Sequence, residues 1–255
     1  MKYETPEAFK DLEDAYFGQN KHESAEIDHL PEILGGVTNF ADVGASLGQY
    51  SYFAAKALKN AKFYCVEADP YKASRLRELA SGWAVETSNS FEIIEKAASD
   101  TSGEITFFLP ATHQSSGAFF PIPGTEGEWE KVTVEAQTID SIFEGIEIDF
   151  MKLDVEGAEY RALVGAEKTL ARCNLKLLLE IAPWGDKEHS RCPSDVLRLL
   201  AGYGYDFTVF QNHYLFTKGG SPMKRWCKSR ILGAILDRPE LKMRVKNVFN
   251  RLRGR

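Results

Sequence analysis

Short apolar strands alternate with helical segments from residue 39 onward, and this pattern restricts the chain more than any other feature of its sequence. Asn39–Val43 reads as a buried strand, Ser51–Leu58 as a helix, Lys62–Glu67 as a second strand, Tyr71–Ala80 as a second helix and Phe91–Ala97 as a third strand. Consecutive strands separated by helices cannot pair as hairpins. They pair in parallel, with the helices covering both faces of the sheet. The rhythm then changes: Glu104–Leu109 and Lys131–Ala136 are strand-like with no long helix between them, which predicts an antiparallel insertion at about 101–136. It resumes with Ile148–Asp154, a helix over Tyr160–Arg172, the fully apolar strand Leu175–Ile181, and a helix opened by Pro193-Ser194-Asp195. Two late strands, Asp206–Phe210 and His213–Thr217, are separated only by Gln211-Asn212 and predict a hairpin closing the sheet.

A ligand in such a sheet lies beyond the carboxyl ends of the strands. There the first strand runs into Asp42-Val43-Gly44-Ala45-Ser46-Leu47-Gly48. Gly44 and Gly48 allow a tight turn and close backbone approach. Ser46 occupies the place of the middle glycine of a dinucleotide fingerprint, which disfavours an NAD-dependent oxidoreductase, and the loop carries no lysine, so it is not a P-loop. Its charge is also wrong for a pyrophosphate. Asp42 ends the first strand and Glu67 the second. A ligand carrying an ammonium and a sulfonium suits Asp42, and a ribose diol suits the two oxygens of Glu67. S-adenosylmethionine (SAM) meets both demands, with Asp42, Gly44, Ser46, Gly48, Tyr50, Glu67, Ala68, Ala97 and Asp154 as the expected cofactor-binding residues.

The same segments resemble the FkbM family of SAM-dependent methyltransferases over roughly residues 39 to 217. The matching pieces are Asp42-Val43-Gly44-Ala45-Ser46-Leu47-Gly48-Gln49-Tyr50-Ser51, Val66-Glu67-Ala68-Asp69-Pro70, Ala97-Ala98-Ser99-Asp100, and Lys152-Leu153-Asp154-Val155-Glu156-Gly157-Ala158-Glu159-Tyr160 with Leu163 and Gly165-Ala166. The last piece is the most diagnostic, because the first two recur across class I methyltransferases. The family often carries Asn where this chain has Ser46, a conservative polar change. The resemblance implies a class I (Rossmann-like) α/β fold, a mainly parallel sheet with a terminal antiparallel hairpin. It also implies O-methylation of a sugar or natural-product hydroxyl.

Methyl transfer to a hydroxyl gains from a general base within hydrogen-bond reach. Asp154 closes the fourth parallel strand and Glu156 follows two residues later; both are candidates for the chemistry, as is His113 in the insertion loop. Lys152 shares a strand face with Asp154, as an ion-pair partner or as a structural lysine. Glu159 reads as a complement to the N-terminus of the next helix. Asp154 and Glu180 end adjacent strands and could together hold a divalent ion, but no further motif completes a metal site, and none is expected. Pro183, Trp184 and Trp129 are aromatic-platform candidates for a sugar. Val85–Ser90 fits no cofactor pattern.

Charge divides the chain. From Ser221 to Arg255 there are eleven Lys/Arg against Asp237 and Glu240, a net +9, which leaves −15 on the rest of a chain whose total is −6. Leu241, Val245, Val248, Phe249 and Leu252 have helical spacing among Lys242, Arg244, Lys246, Arg251 and Arg253. Such a helix either packs on the domain or a second subunit, or meets an anionic membrane or carrier. The acidic body argues against nucleic acid.

The division is thus a helical lead-in over 1–37, a methyltransferase domain over 38–220 and a basic helical extension over 221–255. The expected partner is a small-molecule or glycan acceptor, with oligomeric state left open. A non-catalytic SAM-fold binding protein that uses its basic helix for partner or membrane contact is the alternative. It is disfavoured because Asp42, Glu67 and Asp154 are all retained. The opening residues Met1–Pro6 lack the basic-then-apolar pattern of a signal peptide, and the scattered Cys65, Cys173, Cys192 and Cys227 read as free thiols, so a cytoplasmic protein is expected.

Overall fold

The computed structural model describes residues 9–18, 24–110, 117–119, 129–181, 193–210 and 213–237. Its centre is a seven-stranded sheet in the order β3-β2-β1-β7-β8-β10-β9. β1 (Asn39–Val43), β2 (Lys62–Glu67), β3 (Ser90–Glu95), β7 (Phe150–Leu153) and β8 (Lys176–Leu179) are parallel. β10 (His213–Lys218) runs antiparallel to β8 and to its hairpin partner β9 (Tyr205–Phe210). The parallel sheet with a terminal hairpin is therefore present.

Side chains alternate across this sheet, so each strand supplies two cores. On one face, Val43, Met151, Leu153, Leu177 and Leu179 pack under Leu163, Leu170 and Leu200 from α6 (Glu159–Val164), α7 (Glu167–Arg172) and α8 (Pro193–Gly202). On the other, Phe40, Phe63, Phe150 and Leu178 meet Ala54, Leu76 and Trp83 from α3 (Gln49–Ala57) and α4 (Pro70–Thr87). Phenylalanines in register form a ladder across four strands. Ring centroids are 5.0 Å apart for Phe150–Phe40, 5.1 Å for Phe40–Phe63 and 4.9 Å for Phe63–Phe91. Each fully buried ring of this kind contributes about 1.5–3 kcal/mol through area removed from water, and the pairing fixes the register on which the site depends.

Three elements differ from the expectation. α4 continues seven residues past Ala80, through Gly82, and ends where Ser88 turns left-handed. The expected helix over Tyr160–Arg172 is two helices. A Cβ at Gly165 would lie 2.0 Å from the Ser99 carbonyl oxygen, so the chain passes too close to another segment for a continuous helix with side chains. Asp140, on α5 (Ile139–Ile142), accepts from Lys168 N at 2.9 Å and Thr169 N at 2.7 Å and starts the second helix. The third strand ends at Glu95. Ala97–Ala98 begins β4 of a separate three-stranded sheet, ordered β4-β6-β5, in which β5 (Gly103–Pro110) and β6 (Trp129–Gln137) form the antiparallel insertion. Trp129 opens β6 rather than lying in a loop.

Before the sheet come α1 (Lys10–Phe17), α2 (Ser24–His29) and a 3₁₀ turn over Leu30–Ile33. Phe9 and Leu12 bury against Leu47, between the two glycines of the first loop. After the sheet, α9 (Pro222–Leu236) lies along α8. Among the described residues no helix is long and apolar enough to cross a membrane.

Candidate functional site

Register brings the site residues to one edge. Gly44 N and Ala45 N both donate to Val66 O, at 2.9 and 3.0 Å, Asp154 N to Val43 O at 3.0 Å, and Glu180 N to Leu153 O at 3.2 Å. The segments leaving β1, β2, β7 and β8 are thereby stitched side by side. Gly44 (φ +79°) has no room for a side chain: a Cβ there would lie 1.8 Å from Asp154 O. This close approach sets the Asp42–Gly48 loop against the Asp154 segment. Ser46 is also left-handed at φ +51°, as is Glu156 at +52°. Such non-glycine positions are uncommon and tend to collect at functional sites.

Glu67 organises the first loop. Its Oε2 accepts from Ser46 N at 2.6 Å and its Oε1 from Asp69 N at 2.8 Å. Burial pushes its carboxyl above the usual range, while Lys72 and the two amides pull it back. A carboxylate has about four acceptor sites, so the two amides leave capacity for a diol. Asp69 in turn caps α4, accepting from Tyr71 N at 2.9 Å and Lys72 N at 3.3 Å.

Asp42 faces the α3 side. Its Oδ2 accepts from Ser51 Oγ at 2.7 Å and from Ser51 N at 3.2 Å, so this carboxylate also holds the start of α3. Its Oδ1 is buried with no hydrogen-bond partner among the described residues. Burial raises its pKa, and Lys152, its register partner on β7, opposes the rise. Lys152 is itself buried and donates to Asp154 Oδ2 at 2.8 Å, so the ion pair is formed and Lys152 stands between two carboxylates.

Tyr50 carries the cluster onward. Lys152 Nζ lies 4.8 Å from its ring centroid, and its hydroxyl is 3.4 Å from His213 Nε2. His213 is buried. Its Nε2 is 3.4 Å from Glu180 Oε2 and its Nδ1 is 3.8 Å from Glu26 Oε1, the latter carboxylate supplied by α2 and also buried. Neither His213 nor Glu26 was legible as a site residue. The available signal was topological: β10 is antiparallel, so its first residue falls on the edge where the parallel strands end.

Glu159 opens α6 at its N-terminus, as expected, and is buried there; it accepts from Gly157 N at 2.8 Å. Burial pushes its pKa up to about 8, with Asp154 and Glu156 adding repulsion. Ala68 and Ala97 lie together in the small cluster under the insertion, with Phe107, Leu109 and Ala136. Asn89 bridges Ala61 N (2.8 Å), Ala55 O (2.8 Å) and Leu58 O (3.1 Å) at the far edge of the sheet, which explains why Val85–Ser90 carries no cofactor pattern. His113, Pro183 and Trp184 lie outside the described residues. Among the described residues no three His, Cys, Asp or Glu side chains group as a metal site.

The chain matches the profile of the methyltransferase FkbM domain over residues 42–207. It belongs to the FkbM methyltransferase family. Like that family it is a SAM-dependent methyltransferase, and its matched span runs from Asp42 through Lys152–Glu159 to the final hairpin. Among solved structures it is similar to the FkbM methyltransferase of Methylobacillus flagellatus KT, at 16% identity and TM-score 0.48, covering 83% of this chain and 58% of that one. A methyltransferase from Geobacter sulfurreducens is similar at 14% identity and TM-score 0.45, covering 86% of this chain and 90% of that one. A SAM-dependent methyltransferase from Aquifex aeolicus is similar at 12% identity and TM-score 0.43, covering 84% and 96%. No curated protein matches the sequence. Within this FkbM domain the residues fit SAM on chemical grounds: a buried carboxylate oxygen at Asp42 without a hydrogen-bond partner among the described residues, a two-oxygen acceptor at Glu67, and no Lys or Arg in the loop 43–48.

Proposed function

We propose that this enzyme methylates a hydroxyl of a saccharide, glycoconjugate or natural product. The observation that carries the reading is the acid-rich strand edge. Asp154 and Glu180 end neighbouring strands beside the Gly44 loop, Glu156 follows Asp154, and an imidazole backs Glu180. A hydroxyl is a poor nucleophile until its proton is taken, so an edge of proton acceptors suits oxygen as the acceptor atom.

SAM, when bound, supplies an electrophilic methyl carbon on a sulfonium. The residues proposed to hold it are Asp42, Gly44, Ser46, Gly48, Tyr50, Glu67, Ala68, Ala97 and Asp154. Glu67 takes the ribose hydroxyls, and Asp42 and Asp154, set around Lys152, define the charge at the methionine end. Asp154, fixed by its ion pair to Lys152, orients rather than deprotonates. Glu180, whose side chain is 48% exposed, takes the acceptor proton, and His213 beside it shares that proton inward. Glu156 fixes the group that bears the hydroxyl, and its left-handed backbone points to a strained loop of the kind kept for a ligand. His113 stays a candidate substrate contact on the insertion.

The test is transfer of labelled methyl from SAM to a panel of saccharides and glycoconjugates. Once an acceptor is found, Glu180→Gln should lower kcat by about 10²-fold or more with SAM affinity unchanged, while Glu156→Gln should mainly raise KM for the acceptor. Labelling of amines or thiols in place of hydroxyls would overturn the reading, and an unchanged kcat in Glu180→Gln would remove its role as base.

A further inference from the structure

We propose that Glu26, on α2 ahead of the sheet, is a positioning residue for methyl transfer: its carboxylate orients His213 and, through it, the base Glu180. The inference rests on the reading of Glu180 as the group that takes the acceptor proton. α2 and the 3₁₀ turn after it bury Glu26, Ile27 and Leu30. Ile27 and Leu30 join Phe40, Phe150 and Leu178 in the core on the α3 side of the sheet. Apolar side chains need no partner there, but a carboxylate taken out of water is costly unless it is paired. His213 meets it. Both side chains are almost fully buried, and Glu26 Oε1 lies 3.8 Å from His213 Nδ1.

Oxygens meet both ring nitrogens. Nε2 lies 3.4 Å from Glu180 Oε2 and 3.4 Å from the Tyr50 hydroxyl, and the Tyr50 ring stands edge-on to the imidazole with centroids 5.9 Å apart. Among the described residues, the titratable groups against the ring are thus Glu26 from α2, Glu180 from the end of β8 and Tyr50 from α3. Lys152 on β7 follows, 4.8 Å from the Tyr50 ring centroid. A carboxylate beside Nδ1 holds the proton of the neutral ring on that nitrogen and leaves the Nε2 lone pair toward Glu180. The same negative charge favours the imidazolium once a second proton arrives.

This arrangement serves the proton. The acceptor oxygen attacks the methyl carbon, the carbon–sulfur bond breaks with its electron pair left on sulfur, and the hydroxyl proton passes to Glu180. The products are a methyl ether and S-adenosylhomocysteine. Glu180 shares the proton with His213 Nε2, and the imidazolium so formed lies between two carboxylates, Glu180 and Glu26. The proton leaves to water from Glu180, whose side chain is half-exposed. Without the charge of Glu26 the ring holds a proton less tightly, and Glu180 with His213 is together a weaker base. The lead-in before the sheet thereby carries part of the catalytic machinery of the domain that follows it.

The experiment pairs a ring titration with kinetics, both on the full chain. Nitrogen NMR of isotope-labelled histidine follows the rings with pH, and His213 is picked out of the five histidines by the signal that His213→Gln removes. In Glu26→Gln its titration midpoint should fall by about 1–3 pH units. Glu26→Asp keeps the charge one methylene farther away; it should give a smaller drop in the same direction and carries the test if Glu26→Gln does not fold. In methyl transfer, Glu26→Gln should lower kcat by about 10-fold or more with KM for the acceptor within about twofold. The acid limb of kcat should move to lower pH together with the ring midpoint, which a merely structural role would not produce. An unchanged midpoint in both variants overturns the inference for any acceptor. So does a lowered midpoint with wild-type kcat and acid limb, because the ring then titrates without serving the reaction. The ring titration needs no acceptor, so its failure leaves the assignment of Glu180 standing. An unchanged kcat in Glu180→Gln removes that assignment, and the proposal with it, whatever the ring does.

Discussion

Replacing Gly44 with alanine tests the close approach that builds the site. Two costs follow from the geometry. The first is conformational: an L-residue in the left-handed region costs about 1–2 kcal/mol, and Gly44 sits at φ +79°. The second is steric. The new Cβ would lie 1.8 Å from Asp154 O, whereas a carbon–oxygen contact settles near ~3.3 Å. The ends of β1 and β7 must then separate by about 1.5 Å, which breaks the hydrogen bond from Asp154 N to Val43 O. A buried donor left unsatisfied costs about 1–3 kcal/mol, for a total near ~2–5 kcal/mol. Gly36 is the control, because it has almost the same φ, +80°, with nothing within 4 Å of its Cβ position. Gly36→Ala should therefore show the conformational cost alone. Urea unfolding followed by dichroism should place Gly44→Ala below Gly36→Ala by about 1–3 kcal/mol at equal slope. If the two variants are equally stable within about 0.5 kcal/mol, the close approach does not hold these strands and the argument for loop placement fails.

Other expectations concern single side chains. Glu67→Gln removes a charged acceptor from two amides and from the ribose site, so SAM affinity measured by calorimetry should fall about 10- to 100-fold; a change within twofold would contradict the assignment. Glu159 has its pKa raised by burial from 4.5 to about 8. Between those values it stays protonated in the folded chain and ionises in the unfolded one, so its contribution is complete below 4.5 and is lost as pH rises toward 8. Glu159→Gln should flatten that part of the stability-versus-pH curve, and an unchanged slope would show that other groups produce it. Arg75 grips Glu13 through Nε at 2.7 Å and Nη2 at 3.2 Å, tying α1 over the Leu47 loop. Glu13→Gln should speed amide exchange in residues 45–48 by about fivefold, the equivalent of about 1 kcal/mol; unaltered exchange would mean that apolar packing alone holds α1.

Much of the fold was readable because strand periodicity and helix capping are local. Asp42, Gly44, Glu67 and Asp154 stand at strand ends, and strand ends in a parallel sheet share one edge, so their convergence followed from chain order. The parts that escaped depend on contacts distant in sequence. Gly165 breaks a helix because Ser99 passes behind it, and Asp140 restarts that helix from another element. α4 outlasts its own apolar pattern because Trp83 continues to pack against Tyr52 and Phe91. Asp42 is legible from its strand end both as a ligand residue and as a cap for the next helix, and the structure gives one of its oxygens to Ser51 at the start of α3. His213 and Glu26 come together only through tertiary packing across 187 residues of chain.

If the Asp42–Gly48 and Glu67 loops form a SAM site, the full chain binds S-adenosylhomocysteine in titration calorimetry, with NAD as the comparison ligand. One saturable site per chain is expected for S-adenosylhomocysteine, weakened in Glu67→Gln, with no heat of binding for NAD. Absence of S-adenosylhomocysteine binding by the folded chain, or equal binding of NAD, would contradict it.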